Sequence, residues 1–274
     1  MEYEAPPNQI DKPGYRLEYS DEFNSASLDE SKWGLFHLPQ WSSQDQSRPK
    51  FFVKDSNLTL QIEENQKPWC PEFDGMVLCS SIQTGVFSGA VGTNEGQHRF
   101  SSALVVREAQ TPTRMYTPQY GYFEMRARGM RAFKNHVALW MIGFEENPEQ
   151  SGEIAICEIM GEYATQESTR LGHGVKAWFD SNLKDEFHED FLKFDVTKYH
   201  IYSAEWKPDS IDFFLDNQKI RTIYQSPKYP MQFMLGIYER PLSAPANRDD
   251  SYPKQFVIDY FRGYQPIGGY HRVP

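Results

Sequence analysis

Apolar and polar residues alternate with a period of two through most of the chain, the pattern of half-buried strands. In residues 57–63, Leu58, Leu60 and Ile62 fall on one face and Thr59, Gln61 and Glu63 on the other. In residues 121–128, Phe123, Met125 and Ala127 point inward against Tyr122, Glu124, Arg126 and Arg128. Residues 136–143 are mostly apolar on both faces, as in a strand covered on both sides. Residues 202–206 and 211–215 flank the turn Lys207-Pro208-Asp209-Ser210 and predict a hairpin. A second turn at Asp216-Asn217 leads into residues 219–223, and residues 255–264 predict a last strand. Helical periodicity is scarce; short helical turns are predicted near residues 27–32 and 182–191. Many strands with regular turn signals imply an all-β, two-sheet β-sandwich. Residues 64–100 break the pattern with Gly75, Gly85, Gly89, Gly92 and Gly96. They read as a long loop insertion with some pairing of its own, and loops this long are usually functional. No repeat or linker divides the chain. The expectation is one domain over residues 15–274, with a loose N-terminal extension at residues 1–14.

Length suits that reading, since 274 residues are ordinary for a single sandwich. The net charge of −10 argues against a sequence-independent nucleic-acid binder and against a reader of anionic membranes. Mean hydropathy is −0.67, and no apolar run reaches the length of a membrane-spanning helix. Aromatic residues make up 15 %, an excess read as strand packing plus sugar-stacking surface. The three cysteines, Cys70, Cys79 and Cys157, are odd in number and form no C-x-x-C pair, so neither a disulfide scaffold nor a structural zinc site is expected. A Cys70–Cys79 bridge stays open for an extracellular chain, against burial as free thiols. The N-terminus has neither a basic region nor an apolar one, so the expectation is a cytoplasmic protein or a mature form without its leader.

The stretch SGEIAICEIMGE, Ser151–Glu162, sets Glu153 and Glu158 in an otherwise apolar strand. Such surroundings raise carboxyl pKa values by desolvation. A spacing of five puts the two acids on opposite faces of a regular strand. One β-bulge near Ile156–Cys157 restores a common face, with Glu153, Ala155, Glu158 and Met160 along it. Carboxyls about 5–5.5 Å apart suit retaining glycoside hydrolysis. Spacing alone also allows a structural role, in which the acids pair with Arg126 or Arg128.

Several segments in order resemble glycoside hydrolase family 16, the laminarinase, agarase and carrageenase family. Gly152-Glu153-Ile154-Ala155-Ile156-Cys157-Glu158 resembles its E-x-D-x-x-E signature. The opening Tyr19-Ser20-Asp21-Glu22-Phe23-Asn24 and Asp55-Ser56-Asn57-Leu58-Thr59-Leu60 are similar to its first strands. Tyr120–Ala127, Ala138–Gly143, the Glu205-Trp206 hairpin and Phe256–Arg262 resemble later strands. The resemblance implies a concanavalin A-like jelly roll with a substrate cleft on its concave sheet. It implies a retaining endo-glycosidase of the β-glucan or galactan type, with Glu153 as nucleophile and Glu158 as acid/base. The partner would be a polysaccharide or oligosaccharide, with no nucleic acid and no membrane; the oligomeric state is left open.

Two departures stand out. The family's middle Asp is Ala155 here, and Asn147-Pro148-Glu149-Gln150-Ser151 stands where many laminarinases carry a Trp. The alternative function is therefore a weak or inactive carbohydrate-binding protein using the same cleft. Trp140, His136, Lys176, Trp178 and His173 are the candidates for sugar binding, Lys176 or His173 standing in for a cleft histidine. Trp69 and Phe73 are candidates for a cleft wall. The basic cluster Arg126, Arg128, Arg131 and Lys134 is a candidate grip for an anionic sugar. No cofactor is required for the chemistry. A structural calcium, common in the family, would draw on Glu22 and Asp259.

Overall fold

In the computed structural model, residues 3–243 and 250–270 are described. The strands are β1 (Tyr15–Asp21), β2 (Lys50–Lys54), β3 (Asn57–Ile62), β4 (Leu78–Gln83), β5 (Gly85–Val86), β6 (Thr113–Arg114), β7 (Gly121–Arg128), β8 (Asn135–Gly143), β9 (Glu153–Ala164), β10 (Thr169–Lys176), β11 (Glu186–Leu192), β12 (His200–Trp206), β13 (Ile211–Leu215), β14 (Gln218–Ile223), β15 (Met231–Glu239) and β16 (Lys254–Pro266). One antiparallel sheet runs β14-β13-β12-β7-β16-β3-β2, with β1 also on β16; the other runs β11-β10-β9-β8-β15-β4. The all-β two-sheet jelly roll is thus present.

Alternation explains which side chains meet between the sheets. Phe123 and Met125 of β7, Phe256 and Phe261 of β16, and Leu58 and Leu60 of β3 face Leu139 and Met141 of β8 and Phe233 and Leu235 of β15. Phe233 ties the layers together, its ring lying 4.8 Å from both Phe123 and Phe261. The other face of the six-stranded sheet carries a second apolar cluster. There Ala138, Trp140, Ile142, Met234 and Tyr238 pack under Leu38, Trp41, Trp69, Leu104 and Val106 from the long loops. These loops cover β15 and β8, and with β9 and β10 they line a cleft on this face.

Three expectations need correction. Residues 182–191 are not helical: Glu186–Leu192 is the edge strand β11, paired along its whole length with β10. Residues 64–100 carry the expected pairing, but not as a self-contained insertion: Leu78–Gln83 is buried and pairs with β15 of the main sheet. The described part of the N-terminal extension is docked rather than loose. Ala5 is buried and accepts the Arg126 guanidinium, while Asn8 bonds Glu124.

Replacing Phe233 by Ala would open a void where both sheets meet. A loss of about 3–5 kcal/mol is expected in urea unfolding. A loss below about 1 kcal/mol would mean that the two layers do not depend on this ring.

Candidate active site

The register of β9 shows the extra residue directly. Against β8, Leu139 opposes Cys157 but Trp140 opposes Ala155, so Ile156 is unmatched. Against β10, Gly172 opposes Glu158 and Gly174 opposes Ala155, so Ile156 and Cys157 together stand against the single residue His173. Ile156 and Cys157 both turn into the core. Glu153 and Glu158 therefore share the outer face, where they line a cleft of about 360 Å³.

Glu153 is almost fully buried, and that burial pushes its carboxyl above the usual carboxylate range. Lys176 opposes it across β10 and offsets the effect. The ammonium lies 2.8 Å from Glu153 Oε1 and 2.8 Å from Glu158 Oε1. Two such bonds to one nitrogen cap the separation of those oxygens at twice that length. The Lys176 ammonium is itself held above its ordinary value by the two carboxylates, against the effect of burial. The Trp178 indole N–H donates to Glu153 Oε2 at 2.9 Å. Trp178 lies beyond the strand end with φ of 49°, in a turn pinned by Ala177 N–H to Asp185 and Phe179 N–H to Ser151. His136 Nε2 stands 3.7 Å from Glu158 Oε2, and burial holds this imidazole below its usual range. Trp140 lines the cleft and donates its indole N–H to Tyr238 Oη at 3.0 Å.

Glu153, Glu158, Trp140, His136, Lys176 and Trp178 thus converge on one cleft. His173 does not. It is fully buried on the opposite face of β10, accepting from Arg221 Nε at 3.1 Å and packed on Phe213. Parity is the reason, since positions 173 and 176 of one regular strand face opposite ways. The acids do not pair with Arg126 or Arg128, which lie on β7 of the other sheet; Arg126 binds Asp259, and both guanidinium groups lie over the Tyr199 ring. The rest of the basic cluster is likewise engaged, Arg131 with Asp195 and Lys134 with Asp250. Trp69 does wall the cleft, with its N–H on Asp74, whereas Phe73 lies under Arg107. Cys70, Cys79 and Cys157 are buried free thiols.

The calcium expectation does not fit Glu22 and Asp259. Arg262 takes both oxygens of Glu22, at 2.7 and 2.8 Å, and Arg126 takes Asp259 at 2.7 Å. A guanidinium on each carboxylate opposes a divalent cation there. Among the described residues, no group of three or more His, Cys, Asp or Glu side chains gathers to hold a metal ion.

Two cleft residues carry no sequence signal. His37 and His98 come from loops and line the aromatic end of the cleft. The His98 ring meets Trp178 at 4.8 Å and Trp140 at 5.0 Å edge-on, and its backbone N–H is held by buried Glu145 at 2.6 Å. Burial pushes both imidazoles down to about 3. Both rings stay neutral in the folded protein while the unfolded chain takes up protons below about pH 6.5. Stability contributed by their neutral forms is therefore present above pH 6.5 and falls as pH drops toward 3, by up to about tenfold in the folding constant per pH unit for each ring. Imidazole nitrogen shifts of His37 and His98 should keep neutral values at pH 5. A titration midpoint near 6.5 would show that the cleft wall is wet.

The chain matches the family model for glycosyl hydrolases family 16 over residues 108–262. It is 29 % identical to a glucan endo-1,3-beta-glucosidase of Cryptopygus antarcticus, over 82 % of this chain and 73 % of that protein. A beta-glucanase of Acetivibrio thermocellus is 26 % identical over 43 % of this chain, and the match spans about a third of that protein's length, 34 %. Among solved structures, the GlcNAcα1-4Gal releasing endo-β-galactosidase of Clostridium perfringens superposes with a TM-score of 0.84 at 34 % identity, covering 97 % of this chain and 67 % of that one.

Proposed function

The chain belongs to glycosyl hydrolase family 16, and on that premise we propose that it is a retaining endo-β-glycosidase acting on galactose-containing β-linked glycans. The observation that carries this reading is the bulge that sets Glu153 and Glu158 on one face, with one ammonium bonded to both. Oxygens at most twice 2.8 Å apart suit the roughly 5–5.5 Å of a nucleophile and acid/base pair. They fall short of the roughly 6.5–9.5 Å that an inverting pair needs to admit water.

In this reading Glu153 attacks the anomeric carbon while Glu158 gives a proton to the departing oxygen. Glu158 then takes a proton from water, which breaks the glycosyl–Glu153 bond and returns the same anomer. Trp178, exposed beside Glu153, offers its ring to the sugar, and Trp140 lines the cleft beneath. The choice of galactose over glucose rests on 34 % identity across nearly the whole chain to the Clostridium perfringens enzyme. The segment Asn147–Ser151, which lacks the tryptophan noted above, points the same way.

Ala155 and the ion-paired glutamates favour a second reading, a carbohydrate-binding protein without turnover. One experiment separates the two. The protein is incubated with laminarin, lichenan, agarose, carrageenan and a glycan bearing GlcNAcα1-4Gal, and reducing ends are measured. New ends are expected from the galactose-containing glycans, with the β-anomer released first by proton NMR. Glu153→Gln should lower the rate by several orders of magnitude with the fold kept. Full activity in that variant would sink the catalytic assignment; binding without product would establish the second reading.

A further inference from the structure

We propose that Lys176 is a positioning residue for this site: its ammonium aligns both glutamates and supplies the charge that keeps Glu153 an anion ready to attack. The inference rests on the glycosidase reading and deepens it.

A buried carboxylate needs polar partners, and its own strand supplies none here. The cleft-side residue between the two glutamates is Ala155, fully buried and without a polar side-chain atom. The neighbouring positions on β10, Gly172 and Gly174, carry no side chain. Space at Gly172 is already taken, since a Cβ there would lie 2.7 Å from the Phe187 ring and 3.2 Å from the Glu158 Cβ. Phe187 in turn supports the Lys176 ammonium, which sits 4.6 Å from its ring centre.

The groups that face Glu153 come from every neighbouring element. Glu158 on β9 repels it, Lys176 on β10 attracts it, and Trp178 donates to it. His136 on β8 is beside Glu158, His98 from the loop sits on Trp178, and Arg240 beyond β15 is paired with Glu162. Among the described residues, Lys176 is the cation in hydrogen-bond contact with both acids, so its removal takes away the positive charge bonded to Glu153.

Lys176 also has a rival role as a sugar contact. The two roles differ in what they move. A sugar contact raises KM; a positioning residue lowers kcat and shifts the pH profile. The sign follows from Glu153, which must be ionised to act. Removing a neighbouring cation moves its ionisation, and hence the acid limb of activity, to higher pH.

The test compares wild type, Lys176→Met, Lys176→Arg and Glu153→Gln. Lys176→Met should lower kcat by about 10²–10⁴-fold with KM within a few-fold, and move the acid limb upward. Lys176→Arg keeps the charge and should leave the limb where wild type has it. In substrate-free protein, carboxyl carbon NMR should show Glu153 titrating at higher pH in Lys176→Met, a readout that does not need turnover. Unchanged kcat and titration, or a rise in KM alone, would overturn the role of Lys176 while leaving the glycosidase standing. Full activity in Glu153→Gln would instead remove the reading beneath it. If Lys176→Met fails to fold, Lys176→Arg decides, and an upward limb in that variant refutes the charge argument.

Discussion

One unmatched residue in β9 decides on which side of a sheet Glu158 lies. Paired regularly, a strand with its acids five apart would send one glutamate into the sandwich interior among Leu139, Met141 and Phe233. An unpartnered carboxylate there costs far more than the local loss of ladder pairing that a bulge entails. The bulge instead turns both Ile156 and Cys157 inward, so the core gains an apolar side chain where the ladder skips a beat. The same irregularity satisfies the core and assembles the cleft.

Once the acids share a face, their burial becomes the problem to be met. Glu153 sits in a strand covered by β8 and β10, and desolvation alone would favour its neutral form. Lys176 and Trp178 answer that cost from the adjoining strand and its turn, one with charge and one with a neutral N–H. Their reach depends on the register that sets Lys176 opposite Glu153 and on the glycines at 172 and 174, where a Cβ would meet Phe187 or the β11 backbone.

Much of this was legible in the sequence, and the reasons for the exceptions are physical. Leu58, Leu60 and Ile62, or Phe123, Met125 and Ala127, alternate because one face meets the core and the other is polar. The need for a bulge follows from two acids five apart in an apolar strand. β15 has no such rhythm: Phe233, Leu235 and Ile237 enter the core while Met234 and Tyr238 lie under the loops, so both faces are apolar. β4 hides inside a glycine-rich stretch, and β11 is an exposed edge whose acids and aromatics imitate a helical face. Within the site, residue types on β8 and β9 revealed themselves. His37 and His98 did not, because their positions depend on long-range folding of loops over the sheet.

Those loops give the cleft two unlike ends that act on each other. Glu153, Glu158 and Lys176 concentrate charge in one part of it; Trp69, Trp140, His37 and Tyr238 supply a buried, largely apolar wall in another. A dry wall lowers the local dielectric and strengthens every bond within the Lys–Glu cluster. The cluster acts back on the wall, since the positive charge of Lys176 adds to burial in disfavouring protonation of His98. A protonated His98 would draw water toward the indoles of Trp140 and Trp178 against which its ring packs. Burial is the main reason that His98 stays neutral, and the charge that neutralises the acids acts on it in the same direction.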